Sequence, residues 1–335
     1  MPRIPYAQGR ATQPKALERV VRRVHDQLAT ADGGGASSRP AFVGVGASYA
    51  ALALPMEILC AAGVPARREL ASELRATDAD LLLGVSQSGR SPETIDALGL
   101  VPRSRRTALV NVTPSLLGES VDRLVDLGNE DDSYASTIGY TGTQVALAMI
   151  ARTMLGWTAD EAAAEWAGIA ATLAAFEAAV AGPVDEVAAL ARTVVAADFV
   201  ASGAARSATE SGALLLREVC RVPAAALVTR NYLHGEMESA GATLHVIVGD
   251  DRELELARSL ARAGHLTLCV TSALLDPEDS LHVVTVPGDL PLPVRAVLQT
   301  AVAQRLAGSL ALARGVDIEE FVFHNSDTKL GEPVG

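Results

Sequence analysis

The sequence predicts an α/β protein with two parallel β-sheets, each flanked by helices. Three observations lead to this prediction. Short apolar runs alternate with helical segments, which is the pattern of βαβ units and a parallel sheet. One such pattern recurs later in the chain. The length of 335 residues suits about two domains, and a hydrophobic share of 49% can form a sizeable core.

Composition and charge exclude several classes of protein. The 28 Lys and Arg residues against 40 Asp and Glu residues give a net charge of −12, so the chain is a poor partner for nucleic acid or for an anionic membrane. The longest apolar runs are broken by charges or proline, and no transmembrane helix is predicted. The 3 cysteines are far apart and form no CxxC pair, which favours a reducing cytoplasm.

The first half of the chain contains the elements of one sheet. An amphipathic helix is predicted over 13–31, followed by a loop rich in Gly and Ser. Strands and helices then alternate: strand 41–45, a helix from 46 to about 62, strand 81–85, a helix that begins near 92, strand 107–112, a possible strand 124–127 and helix 141–155. An Ala-rich helical pair over 159–192, split at Gly182-Pro183, could link this half to the next.

The second half repeats the first in outline. The pattern Phe-Val-x-x-Gly-Ala occurs at 42–47 and again at 199–204, and each copy is followed by a helix that reaches a Cys and then by Val-Pro. Two later apolar runs match predicted strands of the first half, 245–248 matching 81–85 and 266–271 matching 107–112. Corresponding features in one order favour a duplicated α/β domain, and the alternative is one large α/β domain. The predicted segments are an N-terminal helix with the first domain at 1–157, a helical linker at 158–192, the second domain at 193–316 and a tail at 317–335.

The two copies differ in one loop. After its second predicted strand, the first copy continues into Ser-Gln-Ser-Gly-Arg-Ser at 86–91, and the second copy into Gly-Asp-Asp at 249–251. A hydroxyl-rich loop between a parallel strand and a helix suits an anion, because backbone N–H groups and Ser hydroxyls donate to it. Two carboxylates at the same place would repel a phosphate. The sequence therefore predicts one phosphate site, in the first copy.

No metal or cofactor is predicted. The 6 histidines have no Cys or carboxylate at metal-ligand spacing, and no Gly-x-Gly-x-x-Gly motif follows a strand. The acidic stretches at 130–132 and 250–251 are interpreted as loop caps in preference to metal ligands.

Three motifs resemble those of the sugar isomerase (SIS) domain. They are Gly-Ala-Ser-Tyr at 46–49, the Ser-Gln-Ser-Gly loop at 86–89 with Ser91 and Thr94, and Ala-Ser-Thr at 135–137. The arrangement is similar to the isomerase half of glutamine:fructose-6-phosphate amidotransferase and to the stand-alone phosphosugar isomerases and deaminases of this type. The resemblance covers 40–157 with good motifs and 195–330 with weaker ones. It implies two tandem SIS domains, each a three-layer αβα sandwich, in a homodimer with shared active sites.

The resemblance also implies a substrate site for a sugar or sugar phosphate. Its residues would be Gly46, Ala47, Ser48, Ser86, Gln87, Ser88, Ser91 and Ser136. The family usually has Thr where this chain has Ala47, so one hydroxyl is missing. Arg90 stands beside the loop and either adds a charge-assisted contact or faces solvent. The alternative for the loop is a Ser-rich helix N-cap.

Two catalytic residues are implied in the second half. Glu218 lies in an apolar helix, where desolvation would raise the pKa of its carboxyl toward the range of a general base. The family's base lies in such a segment, with His-Gly sixteen residues later, as in His234-Gly235 here. His234 would help to open the sugar ring, reaching the site from the partner subunit. The alternatives are a surface Glu beside Arg217 and a loop His without a catalytic role.

The C-terminal tail departs from the family. The amidotransferase tail carries a Lys that forms a Schiff base, and here that position falls on His324, with Lys329 as the nearest amine. A His cannot form a stable imine but can move protons. The alternative is a tail packed by Phe321 and Phe323, with His324 structural.

Three functions stay open at this point. The favoured one is a sugar isomerase or deaminase that removes the C2 or C1 proton of an open-chain amino sugar or its 6-phosphate. The second is a lyase that uses the same base to eliminate the 3-hydroxyl of an N-acetylamino sugar such as N-acetylglucosamine. The third is a sugar-phosphate sensor without catalysis.

Overall fold

Two five-stranded parallel sheets form the framework of the protein. The computed structural model describes residues 3–30, 37–323, 325 and 327–331. The first sheet contains β1 (Pro40–Gly44), β2 (Arg67–Leu70), β3 (Leu81–Val85), β4 (Arg106–Val110) and β5 (Arg123–Asp126). The second contains β6 (Ala196–Ala201), β7 (Ala224–Val228), β8 (Thr243–Val248), β9 (Thr267–Thr271) and β10 (Leu281–Thr285). The strand orders β2-β1-β3-β4-β5 and β7-β6-β8-β9-β10 are the same, and the predicted α/β fold class is confirmed.

Twelve α-helices surround the sheets within the described residues. They are α1 (Tyr6–Thr30), α2 (Gly46–Ala51), α3 (Ala53–Ala61), α4 (Pro92–Leu98), α5 (Leu116–Glu119), α6 (Ile138–Met154), α7 (Ala159–Ala164), α8 (Ile169–Leu190), α9 (Arg206–Cys220), α10 (Thr229–Leu233), α11 (Arg252–Arg262) and α12 (Leu292–Ala313). The first helix begins seven residues before the predicted position 13.

Both faces of each sheet are buried. In β1, Phe42 faces the central core, where α6, α9 and α12 pack, and Val43 faces an outer core under α4. In β6, Phe199 faces the same central core, and Val200 faces an outer core under α11. Successive side chains of a strand point to opposite faces, so a sheet covered on both sides needs a continuous apolar run. The apolar runs in the sequence reflect this layering.

The helical segment between the sheets is not divided where the sequence suggested. The break lies at Gly168, whose φ of 75° is left-handed, and α8 then continues through Gly182 and Pro183. Proline lacks an N–H and leaves one carbonyl of the preceding turn without its helical donor. Here Pro183 is on the exposed side of α8, so water can satisfy that carbonyl. The prediction of a break at Gly182-Pro183 was therefore wrong.

The same segment is long and apolar enough to cross a membrane by length and composition alone. It runs over 159–193 and is the one such stretch in the described parts of the chain. Leu173, Phe176 and Val180 of α8 are buried in the central core, against α1 and α12. These three side chains pack within the fold, while 28% of the apolar window as a whole is buried.

Candidate functional site

A cleft opens at the carboxyl ends of β1 and β3, where ligands bind in many parallel sheets. We call it the serine cleft. Its volume is about 420 Å³, and it is lined by Arg3, Val45, Ala47, Ser48, Ser86, Gln87, Ser88, Arg90, Ser91, Val112, Asp132, Ser133, Tyr134 and Lys329. The structure thus brings together most of the residues expected to hold a phosphate. Two others lie outside the lining: Gly46 is in the first turn of α2, and Ser136 precedes α6.

The start of the loop at 86–91 is held by backbone hydrogen bonds to β4 and the residues that follow it. The N–H of Ser86 donates to the carbonyl of Leu109 (3.1 Å), and the carbonyl of Gln87 accepts from the N–H groups of Asn111 and Val112 (3.0 Å each). Gly89 has a φ of 64°, and a Cβ there would lie 2.3 Å from the hydroxyl of Ser115. Only glycine fits this turn without strain, and the turn is what directs the serines into the cleft.

Asp132 organises the floor of the serine cleft, and the sequence did not point to it as a site residue. Its buried carboxylate accepts from the backbone N–H groups of Thr137 and Gly139, which caps α6. It also accepts from the amide nitrogen of Gln87 (2.5 Å) and the hydroxyl of Ser136 (2.6 Å). The side chain of Ser136 is therefore used to hold Asp132. The interpretation of the acidic stretch at 130–132 as a cap agrees with the structure for Asp132, whereas Glu130 pairs with Arg19 of α1.

Three positively charged side chains line the serine cleft. Arg3 comes from the segment before α1, Arg90 from the serine loop, and Lys329 from the tail. The tail is tied to the loop because the N–H of Leu330 donates to the carbonyl of Arg90 (3.0 Å). The amine predicted from the tail thus lies at the serine cleft. The other tail candidate, His324, lies outside the described residues.

Glu218 lines a second cleft of about 660 Å³, which we call the glutamate cleft. The other lining residues are Arg217, Arg221, Val222, Pro223, Phe321, Val322, Phe323 and Asn325. The Glu218 carboxyl is half-buried near the end of α9, and burial raises its pKa to about 7. A carboxylic acid with such a pKa is present in both protonation states near neutral pH, as a general base or acid requires.

The two clefts adjoin at an aromatic contact. Tyr134 lines the serine cleft and Phe321 lines the glutamate cleft. The centroids of their two rings are 4.3 Å apart, in an edge-to-face arrangement. Tail residues line both clefts, with Phe321 on one side and Lys329 on the other. Packing by Phe321 was one of the alternatives for the tail. Phe323, in contrast, is 79% exposed and does not hold the tail in the core.

His234 lines neither cleft within one chain. It is exposed at the end of α10. Two residues earlier, the buried hydroxyl of Tyr232 donates to Asp198 (3.1 Å) and lies 3.0 Å from Nδ1 of His245. Burial raises the pKa of the Asp198 carboxyl and lowers the pKa of His245 to about 4. This network, which the sequence did not reveal, fastens α10 to β6 and β8.

The counterpart of the serine loop in the second sheet is filled by its own carboxylate. Asp250 accepts from the backbone N–H and the hydroxyl of Ser272 (both 2.6 Å) and pairs with Arg295 (3.2 Å). Burial alone would raise the pKa of Asp250, but the hydrogen bonds from Ser272 and the charge of Arg295 lower it. Within the described residues no group of His, Cys, Asp and Glu has the geometry of a metal site.

Comparison with known proteins gives the fold a name. No family model matches the chain. The glutamine–fructose-6-phosphate aminotransferase [isomerizing] of Xanthomonas campestris pv. campestris is 27% identical over 303 residues, which cover 81% of this chain and 48% of that protein. The chain thus spans about half the length of this curated relative.

Solved structures resemble almost the whole chain. The C-terminal domain of glucosamine-fructose-6-phosphate aminotransferase from Francisella tularensis has a TM-score of 0.81 at 20% identity, covering 94% of this chain and 98% of that one. Tagatose-6-phosphate ketose/aldose isomerase from Escherichia coli has a TM-score of 0.77 at 17% identity, covering 96% of this chain and 96% of that one. Glucosamine-6-phosphate deaminase from Thermotoga maritima has a TM-score of 0.65 at 15% identity, covering 95% of this chain and 99% of that one. The chain therefore has the phosphosugar isomerase (SIS) fold and resembles the isomerase domain of the aminotransferases.

Proposed function

We propose that this chain is a sugar isomerase or deaminase that acts on an amino sugar or its 6-phosphate. The observation that carries the proposal is the Glu218 carboxyl, with its pKa raised to about 7, in a cleft that adjoins the serine cleft. Relatives of the same fold include a ketose/aldose isomerase and a deaminase of sugar phosphates, which supports this class of reaction.

The serine cleft would bind the phosphate end of the substrate. Hydroxyls of Ser48, Ser86, Ser88 and Ser91 supply neutral donors, and the surrounding cations supply charge. Its volume of about 420 Å³ is within the range of small-molecule sites, roughly 300–1,000 Å³. With the phosphate seated there, the sugar extends past Tyr134 toward the glutamate cleft.

Glu218 would then remove the proton from C2 or C1 of the open-chain sugar. Reprotonation of the neighbouring carbon gives aldose–ketose isomerisation, and with an amino sugar the same step leads to loss of ammonia. His234 would assist ring opening from a second copy of the chain, since it is exposed and lines neither cleft of its own chain. Lys329, which lines the serine cleft, would contact the substrate from the tail.

The proposal includes an organisation for the whole molecule. Two SIS units, at 1–157 and 193–316, would be joined by the helical segment 158–192 and followed by the tail 317–335. The equal strand orders of the two sheets support this division. The functional unit would be a cytoplasmic homodimer with shared active sites.

A panel of sugars in D2O tests the proposal by proton NMR. The panel contains glucosamine 6-phosphate, fructose 6-phosphate, N-acetylglucosamine and its 6-phosphate. Loss of a C2 proton signal together with a new ketose or ammonia is expected with the wild type. Glu218→Gln should be silent, and Glu255→Gln, an exposed control on α11, should behave like the wild type. Activity in both Glu variants, or in none of the proteins, would contradict the proposal.

The lyase alternative has one structural observation in its favour. Ala47 lines the serine cleft where a threonine was expected from the resemblance, so the anion loses one hydroxyl donor. A substrate without a phosphate would lose less from this change. A new vinylic proton signal from N-acetylglucosamine would identify elimination of the 3-hydroxyl. Binding of a sugar phosphate without exchange in any sugar would identify a sensor.

A further inference from the structure

The segment before α1 forms one side of the serine cleft. The backbone N–H of Ile4 donates to the carbonyl of Asp132 (3.1 Å), and Arg3 forms a parallel bridge with the same residue. Farther along, the hydroxyl of the buried Tyr6 donates to the carbonyl of Gln304 (2.8 Å) in the core. Arg3 is thus held beside Asp132 at the edge of the cleft, and the chain that follows it is anchored at Ile4 and Tyr6.

The guanidinium of Arg3 is oriented by stacking. It lies 3.6 Å from the centroid of the Tyr134 ring, and both side chains line the cleft. Stacking uses the face of a guanidinium and leaves the N–H donors at its edge available. Among the described residues, no carboxylate is within ion-pair distance of Arg3, whereas Arg10, Arg19 and Arg23 each pair with one.

Asp132, whose carboxylate also lines the cleft, is engaged by other groups. Asp132 accepts hydrogen bonds from Gln87, Ser136 and the start of α6, and these donors stabilise the negative charge of its carboxylate. A second cation, Arg90, stands on the serine loop. A planar, charged donor group therefore faces a cleft lined by serine hydroxyls, and the group that matches it is a dianionic oxyanion such as a phosphoryl group.

We propose that Arg3 is a substrate-binding residue that recognises the phosphoryl group of a sugar phosphate. The inference rests on the proposed function and narrows its substrate class, from an amino sugar or its phosphate to the phosphate. Arg3 joins the serine loop in holding the anion, and Tyr134 orients it. The segment before α1 thereby contributes to specificity, although it lies outside the sheet that carries the serine loop.

Calorimetric titration of the full chain tests the assignment, with glucosamine 6-phosphate, inorganic phosphate and unphosphorylated glucosamine as probes. Arg3→Gln should weaken binding of both phosphate-bearing probes roughly tenfold or more and leave glucosamine unchanged. Arg3→Lys should recover part of the loss, because it keeps the charge but not the planar fork. Arg22→Gln removes the same charge from the exposed side of α1 and should leave binding as in the wild type.

The outcomes separate this assignment from the proposed function. If Ser88→Ala weakens phosphate binding while Arg3→Gln does not, the cleft binds the anion without Arg3 and the assignment is wrong. Equal losses in Arg3→Gln and Arg22→Gln would mean that only net charge matters, which also overturns it. If the wild type binds the phosphate-bearing probes no better than glucosamine, both the assignment and the phosphate site are wrong.

Discussion

The two sheets have one strand order but different chemistry at the same edge. After β3, the chain turns through serines into a cleft lined by hydroxyls, cations and the hydrogen-bonded carboxylate of Asp132. After β8, Asp250 occupies the corresponding loop and is satisfied by Ser272 and Arg295. The backbone framework thus provides a possible ligand edge in both halves, and the side chains decide which of them is open to an anion.

The comparison extends to the helices that follow the first strand of each sheet. In the second half, α9 carries Glu218, a carboxyl whose pKa burial raises to about 7. In the first half, α2 and α3 carry no such group in the serine cleft, and α2 contributes Ser48. In the proposed function, one half therefore binds the substrate and the other supplies the base.

The largest expected effect comes from giving the first loop the charge of the second. Ser88→Asp places a carboxylate among the serines, where it would repel a phosphate. The affinity for glucosamine 6-phosphate should fall by about 100-fold or more, since like charges in contact cost several kcal/mol. Calorimetric titration measures this change. Ser239→Asp adds the same charge on an exposed turn and should leave the affinity unchanged. Equal losses of affinity in the two variants would mean that the charge of the loop does not decide which half binds an anion.

The burial of Glu218 should be measurable as a cost in stability. The folded protein holds this proton to about pH 7, whereas the unfolded carboxyl releases it near 4.5, so ionisation destabilises the fold as the pH rises between these values. Glu218→Gln should therefore exceed the wild type in stability by about 1–3 kcal/mol at pH 8 and differ little at pH 4. Urea unfolding at the two pH values measures the difference. A constant difference would mean that the carboxyl is not desolvated.

An effect of similar size is expected at the turn of the serine loop. Gly89→Ala should destabilise the protein by about 1–3 kcal/mol, because it combines a left-handed backbone with a clash against Ser115. Gly156→Ala is the matched control: φ is 90° there, and nothing lies within 4 Å of an added Cβ. Thermal unfolding of both should show the larger loss for Gly89→Ala. Equal losses of stability in the two variants would mean that the clash with Ser115 contributes nothing.

The central strands of each sheet were predictable from sequence, and of the edge strands only β5 was indicated, as the possible strand 124–127. β3 matches the predicted run, because a strand buried on both faces must be apolar throughout. β2 has the sequence Arg-Arg-Glu-Leu and lies at an edge, where polar side chains reach solvent. The unpredicted β7 and β10 are also edge strands. In β2 the charged side chains remove the apolar pattern on which the prediction depends, whereas β7 is apolar but rich in Ala, a residue that is depleted in strands.

Some residues of the candidate site could also be predicted from the sequence, and others could not. The serine loop and Glu218 could be singled out because their chemistry is local to a short stretch of sequence. Arg3 and Asp132 could not, because their roles depend on a backbone contact between residues more than 120 positions apart. Whether His234 reaches a site stays a prediction, because it lines neither cleft of its own chain. Side chains that act through long-range pairing leave no signal in the local sequence.

The central claim is that Glu218 removes a proton from a sugar bound in the serine cleft. The most direct test is the rate of C2 proton exchange into D2O with glucosamine 6-phosphate, measured by proton NMR from about pH 5 to about pH 9. The account predicts a rate that rises with pH through an apparent pKa near 7 and is lost in Glu218→Gln. A rate that does not change with pH, or that persists in Glu218→Gln, would contradict it.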